Sequence, residues 1–161
     1  MDAKKAALDA VDRALLRALS ANARASGSQL ATQLGIAEST VSLRLRKLQS
    51  AGHITGYHAD IDLAALGAPL QALIAVRLTQ HVRSEVEQFR REAPTWPGVL
   101  SLFHMGGRDD YLLHIAAKTT EDLRDFVVRY LTGHPAVAHT ETNIVFEHAP
   151  GTGWYGLLDE P

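Results

Sequence analysis

One short run of this 161-residue chain carries side chains that suit contact with a nucleic acid. Ser39 and Thr40 supply hydroxyl groups, and Arg46 and Lys47 follow about two helical turns later. At the start of a helix in the major groove, hydroxyls can reach base edges, whereas cations further along neutralise phosphates. Leu43, between the two pairs, suits contact with a thymine methyl group. The alternative is that this basic run forms an ordinary solvated helix face.

Three predicted helices would position these side chains. Apolar residues recur at helical spacing between residues 8 and 19 and predict the first helix. The second begins at a capping box, Ser26-Gly27-Ser28-Gln29, and ends at Gly35. The third is expected over about residues 38–51, with its apolar stripe turned inward.

The spacing of three residues in this region is typical of a helix-turn-helix. Ala31, Gly35 and Val41 stand at relative positions 0, +4 and +10. A small residue lets two helices cross closely, glycine forms the turn, and an apolar residue of the second helix closes the core. Residues 53–59 then alternate like a short strand. Residues 1–59 are therefore predicted to form a winged helix-turn-helix.

A different pattern of elements begins near residue 70. The predicted order is strand, helix, strand, strand, helix, strand, which is the ferredoxin-like βαββαβ arrangement. Strands are expected at about 70–79, 99–105, 111–118 and 137–147, and helices at about 82–93 and 119–131. The predicted fold class is α+β, with residues 60–69 as a connector, 70–149 as the second domain and 150–161 as a tail.

The first of these strands has one fully apolar face, at residues 70, 72, 74, 76 and 78, which two helices can cover. Its other face is half apolar and includes Leu73. In the next strand, Leu100 and Leu102 are expected on that same side. A four-stranded sheet with helices on one side leaves such a face in water unless a second subunit covers it. The pattern therefore predicts a homodimer.

Composition restricts the classes of protein to which the chain can belong. The hydrophobic share of 46% and the charged share of 21% are those of a globular protein. No apolar run approaches the roughly 20 residues of a membrane helix, so a cytoplasmic location without a membrane partner is expected. The absence of cysteine excludes disulfides, a thiol nucleophile and cysteine-bound zinc. Residues 1–60 hold eight Lys and Arg against five acids, and the remainder eight against thirteen, which indicates two modules with different partners.

Several short motifs together resemble the Lrp/AsnC family of transcriptional regulators over about residues 8–148. They are Leu8-Asp9-x-x-Asp12, Ala23-Arg24, Gln29-Leu30-Ala31, Leu34-Gly35-Ile36, Ser39-Thr40-Val41, Arg44-Leu45-x-x-Leu48, Ala51-Gly52-x-Ile54 and Gly56-Tyr57. One departure is Ala37, where many members carry a serine that caps the recognition helix; its absence should cost about 1 kcal/mol. The resemblance implies double-stranded DNA as a partner. It also implies a second domain of the RAM type that pairs subunits sheet to sheet, in homodimers that can form octamers or other assemblies of dimers.

The predicted DNA contacts lie on the third helix and at the start of the second. They are Ser28, Ser39, Thr40, Ser42, Leu43, Arg44, Arg46 and Lys47. These residue types suit phosphate positioning and base readout, as described above.

The turn that begins at Gly106 is, from its residues alone, an ordinary hairpin. The resemblance implies more, because Gly107-x-x-Asp110 matches the loop that borders the effector pocket in the family. Backbone N–H groups at the glycines can hold an α-carboxylate, and Asp110 can pair with an α-ammonium group. The predicted effector is therefore an amino acid or a related metabolite. Its predicted contacts are Gly106, Gly107, Arg108, Asp109, Asp110, Tyr111, Thr140, Thr142 and Asn143.

Two other functions fit the same two-domain plan. Sirohaem decarboxylases resemble this architecture and use basic and histidine side chains on a tetrapyrrole. The eight histidines here are scattered, however, and none forms a helical pair with an intervening glutamate, so no catalytic residue, metal or cofactor is expected. The other alternative is a ligand-binding module whose helix-turn-helix no longer binds DNA.

Overall fold

The computed structural model describes residues 7–79, 83–151 and 153–154, which form two compact units. The boundary lies between Asp60 and Ile61, and the described residues after Ala149 belong to the first unit. Each unit has its own hydrophobic core. The start predicted near residue 82 for the first helix of the second unit lies outside the described residues.

Three helices build the first unit: α1 (Ala10–Ala21), α2 (Gly27–Leu34) and α3 (Glu38–Ser50). The predicted capping box of α2 is confirmed, since Ser26 Oγ accepts the Gln29 N–H at 3.2 Å and Gln29 Oε1 accepts the Ser26 N–H at 2.8 Å. Gly35 ends this helix with φ 65°, a left-handed conformation that costs glycine no steric clash. The predicted helix-turn-helix is confirmed.

The core of the first unit determines which side of α3 faces outward. Leu15, Leu30 and Val41 are fully buried, and Leu48 is 3% exposed. Val41 and Leu48 therefore turn one side of α3 inward, as predicted. Ala31 of α2 packs at the edge of this core, where a small side chain lets the helices approach.

The strand predicted at residues 53–59 is not formed within the described part of the chain, so the wing prediction is wrong in that respect. The segment begins by folding back onto α3, because the His53 and Ile54 N–H groups donate to Leu48 O at 2.9 and 3.2 Å. Beyond that, a strand needs a neighbouring strand to accept its backbone hydrogen bonds. An alternating sequence pattern does not supply that neighbour.

Four strands and two main helices build the second unit. The strands are β1 (Leu70–Leu78), β2 (Val99–His104), β3 (Tyr111–Ala117) and β4 (Val137–Val145), and the helices are α4 (Arg83–Glu92) and α5 (Thr120–Phe126). A 3₁₀ turn at Ala93–Thr95 follows α4, and a π-helical segment at Val127–Thr132 continues α5. The sheet has the order β2-β3-β1-β4, with every neighbouring pair antiparallel. This confirms the predicted ferredoxin-like plan and the α+β class.

The helices cover one face of this sheet, and that face forms the core. Ile74 and Val76 of β1 are fully buried there, as the alternation predicts. Phe89 of α4 lies at the centre, with ring centroids 5.6 Å from Trp96 and 5.4 Å from Tyr111. The opposite face carries no helix among the described residues, and we refer to it as the open face.

A β-bulge in β2 changes which side chains lie on the open face. The pairing of β2 with β3 shifts register between Val99 and Ser101, so Leu102 pairs with Leu113. Leu113 is fully buried, and Leu102 packs against the same core. The prediction that Leu102 lies on the open face is therefore wrong, because one inserted residue moves the following side chains to the other face. Phe103 lies there instead and is 49% exposed.

Candidate nucleic-acid interface and effector loop

The outward side of α3 carries most of the predicted DNA contacts. Ser39, Ser42, Leu43, Arg46 and Lys47 are all exposed, and the apolar Leu43 is 47% exposed. Within the described part of the chain, neither the Arg46 nor the Lys47 side chain takes part in an ion pair. Both cations are therefore available to phosphates, beside hydroxyls that can reach base edges.

The remaining predicted contacts differ in their surroundings. Ser28 is exposed on α2, where its hydroxyl lies 2.9 Å from Ser26 Oγ. Thr40 is half-buried and, with Arg44, lines a cavity of about 390 Å³ between α3 and the start of α1. The structure therefore keeps Ser28 on the outer surface and turns Thr40 partly toward α1.

Arg44 is the predicted DNA contact whose side chain is already ion-paired within the first unit. Its Nη1 donates to Asp9 Oδ2 at 2.6 Å and to Asp12 Oδ1 at 2.8 Å. The Arg44 side chain is only 28% exposed, whereas Arg46 and Lys47 are exposed. The guanidinium is bound to α1, because the carboxylates of Asp9 and Asp12 at the start of that helix lie within hydrogen-bond distance. We call this three-residue ion pair the Arg44 clasp.

The two acids of the clasp are fixed by a capping box that sequence inspection did not identify. Asp9 Oδ1 accepts the Asp12 N–H at 2.9 Å, and Asp12 Oδ2 accepts the Asp9 N–H at 3.3 Å. The Asp9-x-x-Asp12 spacing is that of an N-cap residue and its partner three residues on, so the signal was present in the sequence. The second oxygen of each carboxylate is left to face Arg44.

The charges of the clasp stabilise one another. The Asp12 N–H, followed by the Arg44 guanidinium, holds the pKa of Asp9 below its usual value. Hydrogen bonds to Asp9 and then Asp12 raise the pKa of Arg44. A carboxylate with a lowered pKa in the folded state stabilises that state above its unfolded pKa. This contribution is lost as the pH falls through the lowered value.

The start of α3 lacks a side-chain cap, as the sequence predicts. Ala37 has the extended backbone of an N-cap residue, φ −68° and ψ 144°, but it makes no side-chain hydrogen bond. The Thr40 N–H, at the third helical position, donates to Ala37 O at 2.9 Å. A hydroxyl at residue 37 would find that N–H within reach.

An Ala37→Ser variant should therefore unfold at higher denaturant concentration. We expect the free energy of unfolding of the first unit to rise by about 1 kcal/mol, the usual value of a serine N-cap. Urea denaturation followed by circular dichroism would measure it. Ala51→Ser, at the exposed C-terminal end of the same helix, is the matched control and should change nothing. Equal effects of both substitutions would contradict the capping argument.

The predicted effector loop contains an aspartate that takes part in the sheet. Asp110 Oδ2 accepts the Leu78 N–H at 2.7 Å, and the Asp110 N–H donates to Val76 O at 3.0 Å. The acceptor site coincides with the register shift between Arg77 and Leu78, where β1 leaves its regular pairing with β4. Asp110 therefore ties the hairpin loop to the end of β1. This structural role is the one expected if the segment is an ordinary hairpin turn.

The loop faces two small cavities of about 150 Å³ each. One contains Asp110 and His104, and the other contains Arg108 and Asp109. Arg77, which sequence inspection missed, contacts two residues that line the second cavity. Its Nε donates to Arg108 O at 3.2 Å, and its Nη2 donates to Asp109 Oδ1 at 3.4 Å. Of the predicted loop contacts, Asp110 lines the first cavity, Gly106, Arg108 and Asp109 line the second, and Tyr111 lines both.

The predicted contacts on β4 are divided as well. Thr142 pairs with Ile74 and Thr140 with Val76, so both lie on the helix-covered side. Asn143 pairs with Leu73 and lies on the open face. Strand alternation therefore prevents all three from lining one cavity within a single chain.

Comparison with known proteins identifies the family. A family model described as AsnC-type helix-turn-helix domain matches residues 8–49, and one described as Lrp/AsnC ligand binding domain matches residues 71–154. The chain belongs to the Lrp/AsnC family of transcriptional regulators. It is 44% identical over 150 residues to HTH-type transcriptional regulator AldR of Mycolicibacterium smegmatis. The aligned region covers 93% of this chain and 88% of that protein.

Solved Lrp/AsnC structures share both the fold and the extent of the chain. A crystal structure of MtbAldR is 39% identical and superposes with a TM-score of 0.70, covering 91% of this chain and 99% of that one. A transcriptional regulator from Neisseria meningitidis, crystallised as a complex with L-Met, is 28% identical with a TM-score of 0.86. It covers 91% of this chain and 95% of that one. The relatives are named as regulators, which favours a regulator over the enzyme alternative.

Two further observations bear on this Lrp/AsnC chain. Among the described residues, no three His, Asp or Glu side chains come close enough to hold a metal ion. No helix in those residues has the length and hydropathy needed to cross a membrane.

Proposed function

We propose that this Lrp/AsnC regulator binds specific double-stranded DNA sequences through α3 and responds to an amino acid or a related metabolite. The observation that carries the proposal is the exposed face of α3, with hydroxyls at Ser39 and Ser42 and exposed cations at Arg46 and Lys47. This face lies on the helix that a helix-turn-helix inserts into the major groove. A cytoplasmic site of action, and no cofactor other than the effector, belong to the same proposal.

Removing the two cations should weaken binding to every DNA sequence. We expect an Arg46→Ala, Lys47→Ala variant to reduce the salt dependence of binding by about 0.9 in d log K/d log[salt] for each phosphate that is no longer neutralised. Fluorescence anisotropy with a promoter duplex and a mixed-sequence duplex, measured over a series of salt concentrations, gives this slope. Removal of base readout in Ser39→Ala should instead reduce the preference for the promoter duplex, by about 0.5–1.5 kcal/mol, the usual value of one hydrogen bond.

The matched control removes the same charge from another exposed helix. Arg90 and Arg91 lie exposed in the last turn of α4, so replacing both with Ala should leave the slope unchanged. If the α3 variant kept the wild-type slope, the assigned interface would be wrong. If wild-type protein showed no salt-dependent DNA binding, the alternative of a non-functional helix-turn-helix would replace the proposal.

The loop that begins at Gly106 supports an amino-acid effector by its chemistry. One oxygen of Asp110 is used by Leu78, and within the described residues its Oδ1 makes no hydrogen bond, so that oxygen can meet an ammonium group. The glycine N–H groups, or the nearby guanidinium of Arg77, can meet a carboxylate. The L-Met complex of the Neisseria meningitidis relative shows that an amino acid binds a protein of this fold.

We further propose that two subunits pair through the open face, with octamers or other assemblies of dimers built from that pair. Leu73, Phe103 and Ala75 give this face its apolar part, and Phe103 is 49% exposed in the single chain. His114 lies among them with Nε2 2.8 Å from Gln71 Oε1. Burial, followed by the charge of His148, lowers the pKa of His114. The lowered pKa favours the neutral imidazole, which suits a covered surface.

A further inference from the structure

Arg44 is the cation of α3 that is already occupied. Its Nη1 is bonded to Asp9 at 2.6 Å and to Asp12 at 2.8 Å, whereas Arg46 and Lys47 have no ion pair among the described residues. Arg44 stands three residues before Lys47 and therefore on a neighbouring part of the helix surface. Among the described residues, Arg44 is thus ion-paired within the protein, whereas the other two cations of α3 are not.

The acids are well placed to retain the guanidinium. Each uses one oxygen to cap α1 and presents the other to Arg44, so no bond of the capping box has to break to form the clasp. A DNA phosphate offers Arg44 the same kind of charge-assisted hydrogen bond that it already has. Exchange of the acids for a phosphate would gain little and would leave two carboxylates unpaired beside the DNA.

We propose that Asp9 and Asp12 act as an internal substitute for phosphate, which withholds Arg44 from DNA and so lowers the sequence-independent affinity of α3. The inference rests on the proposed function of α3 as the DNA-contacting helix. Phosphate contacts carry no sequence information, so removing one of them leaves base readout by residues such as Ser39 unaffected. The clasp therefore lowers the affinity for specific and non-specific DNA by the same factor and leaves sequence discrimination to the base contacts.

The surroundings leave Arg44 able to change partners when the acids lose their charge. A cavity of about 390 Å³ adjoins it and is lined on the α3 side by Thr40, Leu43 and Lys47. Leu43 and Lys47 are exposed, so this cavity leads from the clasp toward the outward side of the helix. A released guanidinium can turn into that space and reach a phosphate.

The test uses full-length protein and a mixed-sequence DNA duplex. In the Asp9→Asn, Asp12→Asn variant, amide oxygens can still cap α1, but both charges are gone. We expect the slope d log K/d log[salt] to steepen by about 0.9, one additional phosphate contact, which is about an eightfold gain at 0.1 M salt relative to 1 M. Asp9→Asn alone provides the same comparison, with a smaller expected change, if the double variant does not fold.

Arg44→Ala separates a released arginine from the mere removal of negative charge. It should leave the slope unchanged in the wild-type background and lower it by about 0.9 in the Asn background. Equal effects in the two backgrounds would overturn the proposal, because Arg44 would then contact DNA in spite of the clasp or act only at long range. Arg46→Ala should lower the slope in both backgrounds. If it does not, the proposed DNA interface fails and not only the clasp.

Discussion

A Leu102→Glu variant is expected to destabilise the second unit, whereas a Leu73→Glu variant is expected to keep its stability but not to assemble. Leu102 packs against the core beside the fully buried Leu113, so the substitution places a carboxylate in an apolar region and removes the packing of the leucine side chain. The expected cost is about 2–4 kcal/mol in the free energy of unfolding. Leu73 is half-buried on the open face, where a carboxylate stays hydrated in the single chain. Pairing with a second sheet would bury that charge.

Two measurements distinguish these results. Thermal unfolding should show a large decrease in stability for Leu102→Glu and little change for Leu73→Glu. Light scattering should show the wild-type protein above its monomer mass of 17.5 kDa and Leu73→Glu at that mass. Val128→Glu, at a 60% exposed position in the helical layer, adds the same charge away from the open face and should leave assembly unchanged. A wild-type monomer would contradict the homodimer, and an assembled Leu73→Glu would contradict the assigned face.

The features that the sequence predicted well are those determined by nearby residues. The cap at Ser26 and the left-handed turn at Gly35 depend on side chains within four positions, and both are confirmed. The buried side of β1 follows from simple alternation about Ile74 and is confirmed as well. Family motifs then extend these local signals to the whole two-unit plan.

The features that the sequence did not predict depend on contacts between distant residues. Arg44 meets Asp9 across 35 positions of the chain, and Asp110 meets Leu78 across 32. The bulge that turns Leu102 inward is a property of the β2–β3 pairing and leaves no mark on the alternation of β2 alone. A residue type can therefore suggest a chemistry, such as phosphate binding for Arg44, while a distant partner assigns it another.

The Asp110→Asn variant is expected to weaken effector binding while the protein remains folded. An amide oxygen can still accept the Leu78 N–H, which Asp110 Oδ2 accepts at 2.7 Å, so most of the contribution of this bond to stability should remain. The amide cannot offer a negative charge to an ammonium group. With its one oxygen on Leu78, the amide turns an NH2 group to the ligand and accepts no hydrogen bond from the ammonium group. The lost charge-assisted bond is worth roughly 1.5–3 kcal/mol, which is about a tenfold to 150-fold rise in the dissociation constant.

Asp110→Ala serves as the comparison, because it removes both the charge and the acceptor. It should melt earlier than Asp110→Asn, since a Leu78 N–H left without its acceptor costs about 1–3 kcal/mol. Thermal shift against the twenty amino acids identifies a ligand for the wild-type protein, and calorimetry with that ligand then compares the variants. Wild-type affinity in Asp110→Asn, together with the early melting of Asp110→Ala, would leave Asp110 with its structural role alone. The anion that meets the ammonium group would then have to be sought elsewhere, with Asp109 beside Arg77 as the next residue to replace.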